Sequence, residues 1–212
     1  MSKLLKNKNF WSYVILIVAL ILFACSFIFQ SFSFDRASFA YNVEKLQSGI
    51  HKQESDALLV LEDTALIKRL GRGKETLQDQ ERLYKKDYYF YVYQKAANGR
   101  YLMFWNTAVT IIPDSIINDG NDEEFVQLSN GYYYIKKIQQ PGLLICYAIL
   151  IKSQFFITSD YFKESYPLNK ELDGLANISN NPGPHVVKSL SGKPIFYLKQ
   201  RPGAVTGTDD FG

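Results

Sequence analysis

From Asn9 to Phe34 the chain carries no charged residue, and its centre, Val14 to Ala24, is almost purely aliphatic. A helix that crosses a bilayer takes about 20 apolar residues, and this stretch is long enough. A cleavable signal peptide has a shorter apolar core, about 7–15 residues, closed by small residues at the cleavage site. Here the apolar run continues through Phe27, Ile28, Phe29 and Phe32. Leu22-Phe23-Ala24-Cys25 has the outline of a lipoprotein box, but Phe23 is bulky for its place and the run goes on past the cysteine. A buried core helix fits no better, because the segment has no polar face. Lys3, Lys6 and Lys8 precede the run, Asp35, Arg36 and Glu44 follow it in mixed sign, and Trp11 and Tyr13 sit at its start. Positive charge stays on the cytoplasmic side and aromatic residues favour the interface. The expected arrangement is a cytoplasmic basic N-terminus over residues 1–8, a single transmembrane helix over 9–34 and everything later outside. The lipid bilayer is the first expected partner.

Residues 35–200 then form one outer domain. With 47% hydrophobic and 15% aromatic residues in the 212-residue chain, disorder is excluded. A net charge of +3, with lysines and carboxylates interleaved, leaves no electrostatic footprint for nucleic acid. Asp35 to about Leu70 contains no proline and reads as one long helix, nearly continuous with the span. Phe39, Val43, Leu46, Ile50, Ala57 and Val60 recur at steps of four and three, with Gln53 breaking the series. That spacing predicts a heptad-like seam, with Phe39, Val43, Leu46 and Ile50 as its dimer or signalling face. Leu58, Leu59 and Leu61 widen the face, as where a helix packs on a sheet. Gly71-Arg72-Gly73 ends the helix, and Glu75 to Lys86 predicts a short polar one.

Strand formers dominate from Tyr88. Tyr88–Tyr93 and Tyr101–Trp105 flank an Asn98-Gly99 turn and predict a hairpin. Phe125–Leu128 and Tyr132–Ile138 follow, separated by Asn130-Gly131. After Pro141-Gly142, Leu143–Ile151 is apolar throughout, as a central strand covered on both faces would be. Asn177 to Pro184 reads as a loop, Pro194–Leu198 as a last edge strand, and 201–212 as a disordered tail. The fold class expected is α+β: a transmembrane helix leading into a long helix packed on an antiparallel sheet of about five strands.

Motifs of catalysis are missing. His51 and His185 have no partner at metal-ligand spacing. Cys25 falls in the span and Cys146 in a core strand, so no disulfide joins them. No phosphate loop, nucleophile elbow or dinucleotide-binding glycines occur. Asp119 to Glu124 lacks calcium-loop spacing and reads as a solvated acidic loop. No cofactor, metal or enzymatic activity is expected of this chain.

Four passages carry a family resemblance: Tyr89–Tyr93 with Leu102–Trp105; Leu128-Ser129-Asn130-Gly131-Tyr132-Tyr133; Ala148–Lys152 leading to Tyr161-Phe162; and Gly192–Leu198. In them the chain resembles the N-terminal extracytoplasmic sensor region of Bacteroidetes-type membrane sensor histidine kinases. Asp160-Tyr161-Phe162 departs mildly from the usual asparagine-x-tyrosine-leucine. The resemblance implies a PAS- or Cache-like sensor fold in the bacterial inner membrane, a homodimer, and a signal passed through membrane helices to kinase domains further along. It also implies an unidentified small-molecule or envelope ligand. Trp105, Tyr132, Tyr134, Lys152 and Tyr161 lie in the resembling passages and are the candidate ligand contacts. The competing expectation is a stand-alone anchored protein that binds or assembles envelope components without a kinase.

Overall fold

Three helices stand where the sequence reads as one span and one long helix. The computed structural model describes residues 8–97, 99–155 and 163–202, with the backbone alone for 8–10 and 27–37. Helix α1 covers Lys8–Ala37, α2 Phe39–Glu62 and α3 Thr64–Leu70. The breaks have local causes. Ser38 stands outside both neighbouring helices, and its hydroxyl accepts from the Tyr41 backbone N–H at 3.2 Å, the bond of an N-cap. Asp63 does the same for α3, accepting from Leu66 N at 3.0 Å. Both residue types compete with the helical backbone through their own side chains.

Chain contacts divide the protein into two units, one holding α1 and the start of α2 as far as Tyr41, the other Asn42–Ala204. In α1, the large apolar side chains from Trp11 to Phe23 other than the half-buried Val14 are exposed, from 49% at Val18 to 74% at Phe23. Ile15 to Val18 and Leu20 to Phe23 each complete a helical turn, so no side of this stretch is polar. Among the described residues no helix is long and apolar enough to cross a membrane. The described side chains of α1 run from Trp11 to Ser26, short of the about 20 residues a span takes.

In the second unit, α4 (Leu77–Tyr84) precedes strands β1 (Tyr89–Ala96) and β2 (Gly99–Trp105). A short helix α5 (Asp114–Ile117) leads to β3 (Glu123–Leu128), β4 (Gly131–Gln140) and β5 (Leu143–Ser153). These five strands form one antiparallel sheet in the order β2-β1-β5-β4-β3. The apolar run is the central strand: Leu144 to Ile149 are all buried. The expected α+β class with a five-stranded antiparallel sheet is therefore present. Gly131, where β4 begins, has φ +157 and lies so close to β5 that a Cβ would meet the Lys152 carbonyl.

Alternation along the strands supplies two apolar faces. Tyr91, Tyr93, Tyr133, Ile135, Leu144, Cys146 and Ala148 share one face with Ile112 and Ile117 of the β2–β3 connection. The Tyr91 hydroxyl donates to the Thr110 carbonyl at 2.9 Å, tying that connection down. The opposite face carries Tyr134 and Tyr147 and lies under α2, where Tyr134 reaches Glu54.

The last strands correct the sequence reading. Strands β6 (Ala176–Ser179), β7 (His185–Lys188) and β8 (Pro194–Gln200) form a separate three-stranded sheet in the order β6-β8-β7. Pro194–Leu198 is thus in the middle of a second sheet and not at the edge of the first, and part of the expected 177–184 loop is β6. Phe125 of β3 stacks on Phe196 of β8 at 4.6 Å and joins the two sheets. Arg201 also belongs to the fold, through 2.7 Å to Glu164 and 2.8 Å to Asn177. The rest of the expected tail from residue 203, and residues 1–7, lie outside the described residues.

The seam of α2 faces inward. Phe39, Val43, Leu46 and Ile50 are 7%, 5%, 0% and 0% exposed in the single chain. Val43, Leu46 and Ile50 are core residues of the single chain. The outward heptad stripe of α2 is Tyr41, Lys45, Ser48, Lys52, Ser55, Leu59 and Glu62, too polar for a coiled-coil seam. Leu46→Ala should therefore lower unfolding stability by about 2–5 kcal/mol. Denaturant unfolding checks this, and the loss should not depend on protein concentration.

Candidate functional site

Helix α2 presents three stripes to three different neighbours. The apolar one is the core face just described. The second is Gln47, His51 and Glu54, spaced four and three apart on one side of the helix. It holds the end of β7. The Lys188 N–H donates to the Gln47 side-chain carbonyl at 2.8 Å, His51 Nε2 donates to the Lys188 carbonyl at 2.9 Å, and the Leu190 N–H donates to Glu54 Oε2 at 2.7 Å. His51, which has no partner at metal-ligand spacing, is a structural clamp.

Glu54 is the centre of the arrangement. Its side chain is fully buried, and Lys136 Nζ of β4 lies 3.8 Å away. Tyr134 has one proton and two carboxylates within reach, Glu123 at 2.6 Å and Glu54 at 3.2 Å. The shorter bond goes to Glu123. Lys136 lies 3.9 Å from Glu123 as well, and Lys193 lies 3.3 Å from it. The carboxylates thus share their countercharges, which a buried charge requires. Tyr147, beside Lys136 across the strands, buries its hydroxyl without a hydrogen-bond partner. Burial, and then its bond to Glu123, push the Tyr134 hydroxyl far above the usual tyrosine range. Burial raises Glu123 in turn, but its bonds to Tyr134 and Lys193 outweigh that and hold it below the usual carboxylate range.

The third stripe is Gly49, Lys52, Gln53 and Asp56. It lines one wall of a cavity of about 460 Å³, with the 85–88 turn into β1 and Pro167-Leu168 opposite. Asp56 is committed: Lys86 Nζ lies 2.7 Å away and the Tyr88 hydroxyl donates to it at 2.8 Å. Burial raises the Asp56 carboxyl, but these two bonds and the Lys86 charge hold it below its ordinary value. Gln53 buries its side-chain oxygen with no hydrogen-bond partner. Lys52 and Lys85 are exposed and make no ion pair among the described residues.

The residues singled out from sequence do not converge. Trp105 is on the edge strand β2, half exposed, opposite Tyr91. Tyr132 stacks on Phe125 at 5.8 Å where the two sheets meet. Tyr134 is locked between carboxylates. Lys152 is buried against Glu164 at 2.8 Å, with its ammonium 5.7 Å from the Tyr166 ring centre. Tyr161 lies outside the described residues. Trp105 shares the Tyr91 face of the sheet, while Tyr134 is on the α2 face, so no single ligand touches both. The acidic 119–124 stretch is not simply solvated: the buried Lys137 ammonium binds Asp119, Glu124 at 2.6 Å and the Ile116 carbonyl. Among the described residues no cluster of His, Cys, Asp or Glu is placed to hold a metal ion. Sequence reasoning missed the cavity because its stripe lacks aromatic residues. The signal present was Gln53, a break in an apolar series.

Removing the hub should cost stability. Glu54→Ala leaves the Leu190 N–H unpaired, and a loss of roughly 2–3 kcal/mol is expected. Glu54→Gln, which keeps a carbonyl for Leu190, should lose less in the same thermal unfolding assay. The pH dependence follows from depressed carboxylates. Asp56, Glu123 and Glu164 (the last through Lys152) bind protons less readily folded than unfolded. Their contribution is full above the unfolded range and lost as pH falls through the folded values. Stability should be level near neutrality and fall below about pH 4, as chemical denaturation across pH will check. No family model, curated protein or solved structure matches this chain.

Proposed function

We propose that this chain is the extracytoplasmic input module of a bacterial two-component sensor histidine kinase. On this reading α1 anchors it in the inner membrane with the N-terminus in the cytoplasm, and it works as a homodimer. The observation that carries the reading is α2. This helix follows, after a single residue, a helix whose stretch from Asn9 to Phe34 carries no charge, and its three stripes face the five-stranded sheet, the second sheet and a cavity. A stimulus that changes how the domain holds α2 has a helix to act on. Such a transition needs only a ligand that prefers one arrangement of packed elements over another. The sequence resemblance supplies the kinase context, and a sheet fronted by a long helix agrees with a PAS- or Cache-like module. Extracting α1 from water accounts for its exposed apolar side chains better than any soluble role does.

The anchor and its orientation are tested on a Cys25→Ala background carrying Ser115→Cys, a single exposed thiol. Cys146 stays silent because it is buried and burial pushes its thiol up to about 12. The chain should sediment with membranes after alkaline carbonate, and a membrane-impermeant maleimide should label the thiol introduced by Ser115→Cys in intact spheroplasts. Labelling only after lysis would refute an outer domain. Homodimerisation through the anchor is tested by moving one cysteine through Phe23, Ala24, Cys25 and Ser26. Oxidation should give a covalent dimer at one or two of these, and silence at all four argues against the dimer. Reading the gene onward from Gly212 separates the kinase from the stand-alone alternative: a second apolar span supports the first and a stop codon the second.

A further inference from the structure

The five-stranded sheet has one edge that no other described element closes. At its far edge β3 lies against the second sheet, where Phe125 stacks on Phe196 and Glu123 pairs with Lys193 at 3.3 Å. At the near edge β2 pairs only with β1. The Lys95 N–H of β1 donates to the Gly142 carbonyl at 2.9 Å, toward β5. Alternation in an antiparallel ladder turns the backbone groups of Tyr93 the same way. Their partners on β2, Arg100 and Leu102, therefore point N–H and C=O at the open edge. Among the described residues no other backbone segment bonds to either. Of the usual guards of an edge strand only a bulge is present. The register shift between Val92 and Tyr93 leaves Met103 unpaired and limits the regular edge to Gly99–Leu102. β2 holds no proline, and its one charge, Arg100, is spent on the Ile117 carbonyl at 2.7 Å and on Asn118 at 2.6 Å. Large rings flank the edge instead: Tyr101 is 61% exposed, Trp105 is half exposed, and Tyr84 is exposed where it stacks on Phe104.

We infer that β2 pairs antiparallel with β2 of a second copy of this chain, about a two-fold axis at Tyr101. Arg100 and the partner's Leu102 exchange main-chain hydrogen bonds, and Leu102 and the partner's Arg100 do the same. The two Tyr101 rings meet as a directly opposed cross-strand pair. No like charges stand opposite each other, since each Arg100 faces a leucine. The shortness of the regular edge favours a second copy over an extended peptide. A peptide gains only this short ladder. A copy brings the same ladder and its own Tyr84, Tyr101 and Trp105, of the residue types that anchor interfaces. With β3 against β8, addition stops at two copies and gives a closed pair rather than a fibre. The inference deepens the homodimer of the sensor reading by giving it a contact outside α1, and that contact needs no membrane.

The test uses the full chain in detergent micelles, with hydrogen exchange of the Arg100 and Leu102 amides as the first readout. In a single copy these N–H groups have no acceptor and exchange as open peptide does. As the protein-to-detergent ratio rises, their protection should grow about tenfold or more. Tyr101→Lys sets two like charges at the axis and should abolish that gain. Its unfolding temperature at low ratio should match the parent's, because the side chain is exposed. Directly opposed residues of this kind stand about 4.5 Å apart in Cα, within disulfide reach. On a Cys25→Ala background Tyr101→Cys should therefore oxidise to a covalent dimer, and Ser115→Cys should not. Fast exchange at every ratio, protection that survives Tyr101→Lys, or no more cross-linking at 101 than at 115 would each overturn the inference. If cysteines in α1 cross-link while 101 does not, the anchored dimer stands and the edge contact falls. If 101 cross-links while Ser115→Cys is labelled only after lysis, the edge contact stands and the membrane reading falls.

Discussion

A fully buried carboxylate on a helix needs compensation from every element around it, and Glu54 draws its compensation from two sheets. The Leu190 N–H comes from the second sheet's turn, and Tyr134 and Lys136 come from β4 of the first. Desolvating the charge costs several kcal/mol, and the cost is met only if all partners arrive together. The network therefore contributes little net stability but admits few alternative placements of α2. An apolar residue at position 54 would be free to slide over the sheet, whereas a carboxylate with directional partners fixes rotation and height at once.

Much of this architecture is legible in the sequence, at the level where residue type fixes environment. The run Leu143–Ile151 can only be a strand buried on both faces, and it is the middle of the sheet. Asn130-Gly131 marks a turn because the backbone there comes so close to Lys152 that only glycine fits. The seam from Phe39 to Val60 is visible as well, but its partner is not. A spacing of four and three shows which side of a helix is buried and does not say whether a sister helix or the protein's own sheet covers it. The burial of Val43, Leu46 and Ile50 in the single chain shows them packed within the protein's own fold.

Polar residues were the least legible part. Gln53 interrupts the apolar series, yet the buried face continues one residue later at Glu54, and only the fold brings Tyr134 and Leu190 to it across the chain. Ser38 looks like any residue inside a long helical stretch. Its capping bond to Tyr41 starts a new helix there. The second sheet escaped because β6 and β7 are four residues each and hide in Asn-, Pro- and Gly-rich sequence, where turn signals outweigh strand signals. The aromatic candidates were scattered for a related reason. Tyr91 and Tyr133 in these strands are core material, their rings packed and their hydroxyls spent on the local acceptors Thr110 and Asn130.

This spending of hydroxyls narrows where a ligand could bind. Both faces of the main sheet are filled, and the polar groups on them, apart from the Tyr147 hydroxyl, are paired to elements of the same unit. A ligand arriving there has to break bonds already made, and gains only the difference. At the third stripe of α2 the balance is different, since Lys52 and Lys85 are exposed and make no ion pair among the described residues. The same helix carries Glu54 one residue beyond Gln53, on the adjacent stripe. A helix is stiff over this distance, so a force applied at Gln53 and one applied at Glu54 act on the same rigid body. The cavity stripe and the hub that fixes the helix are thereby linked by a single backbone step, with no intervening chain of contacts to weaken the coupling.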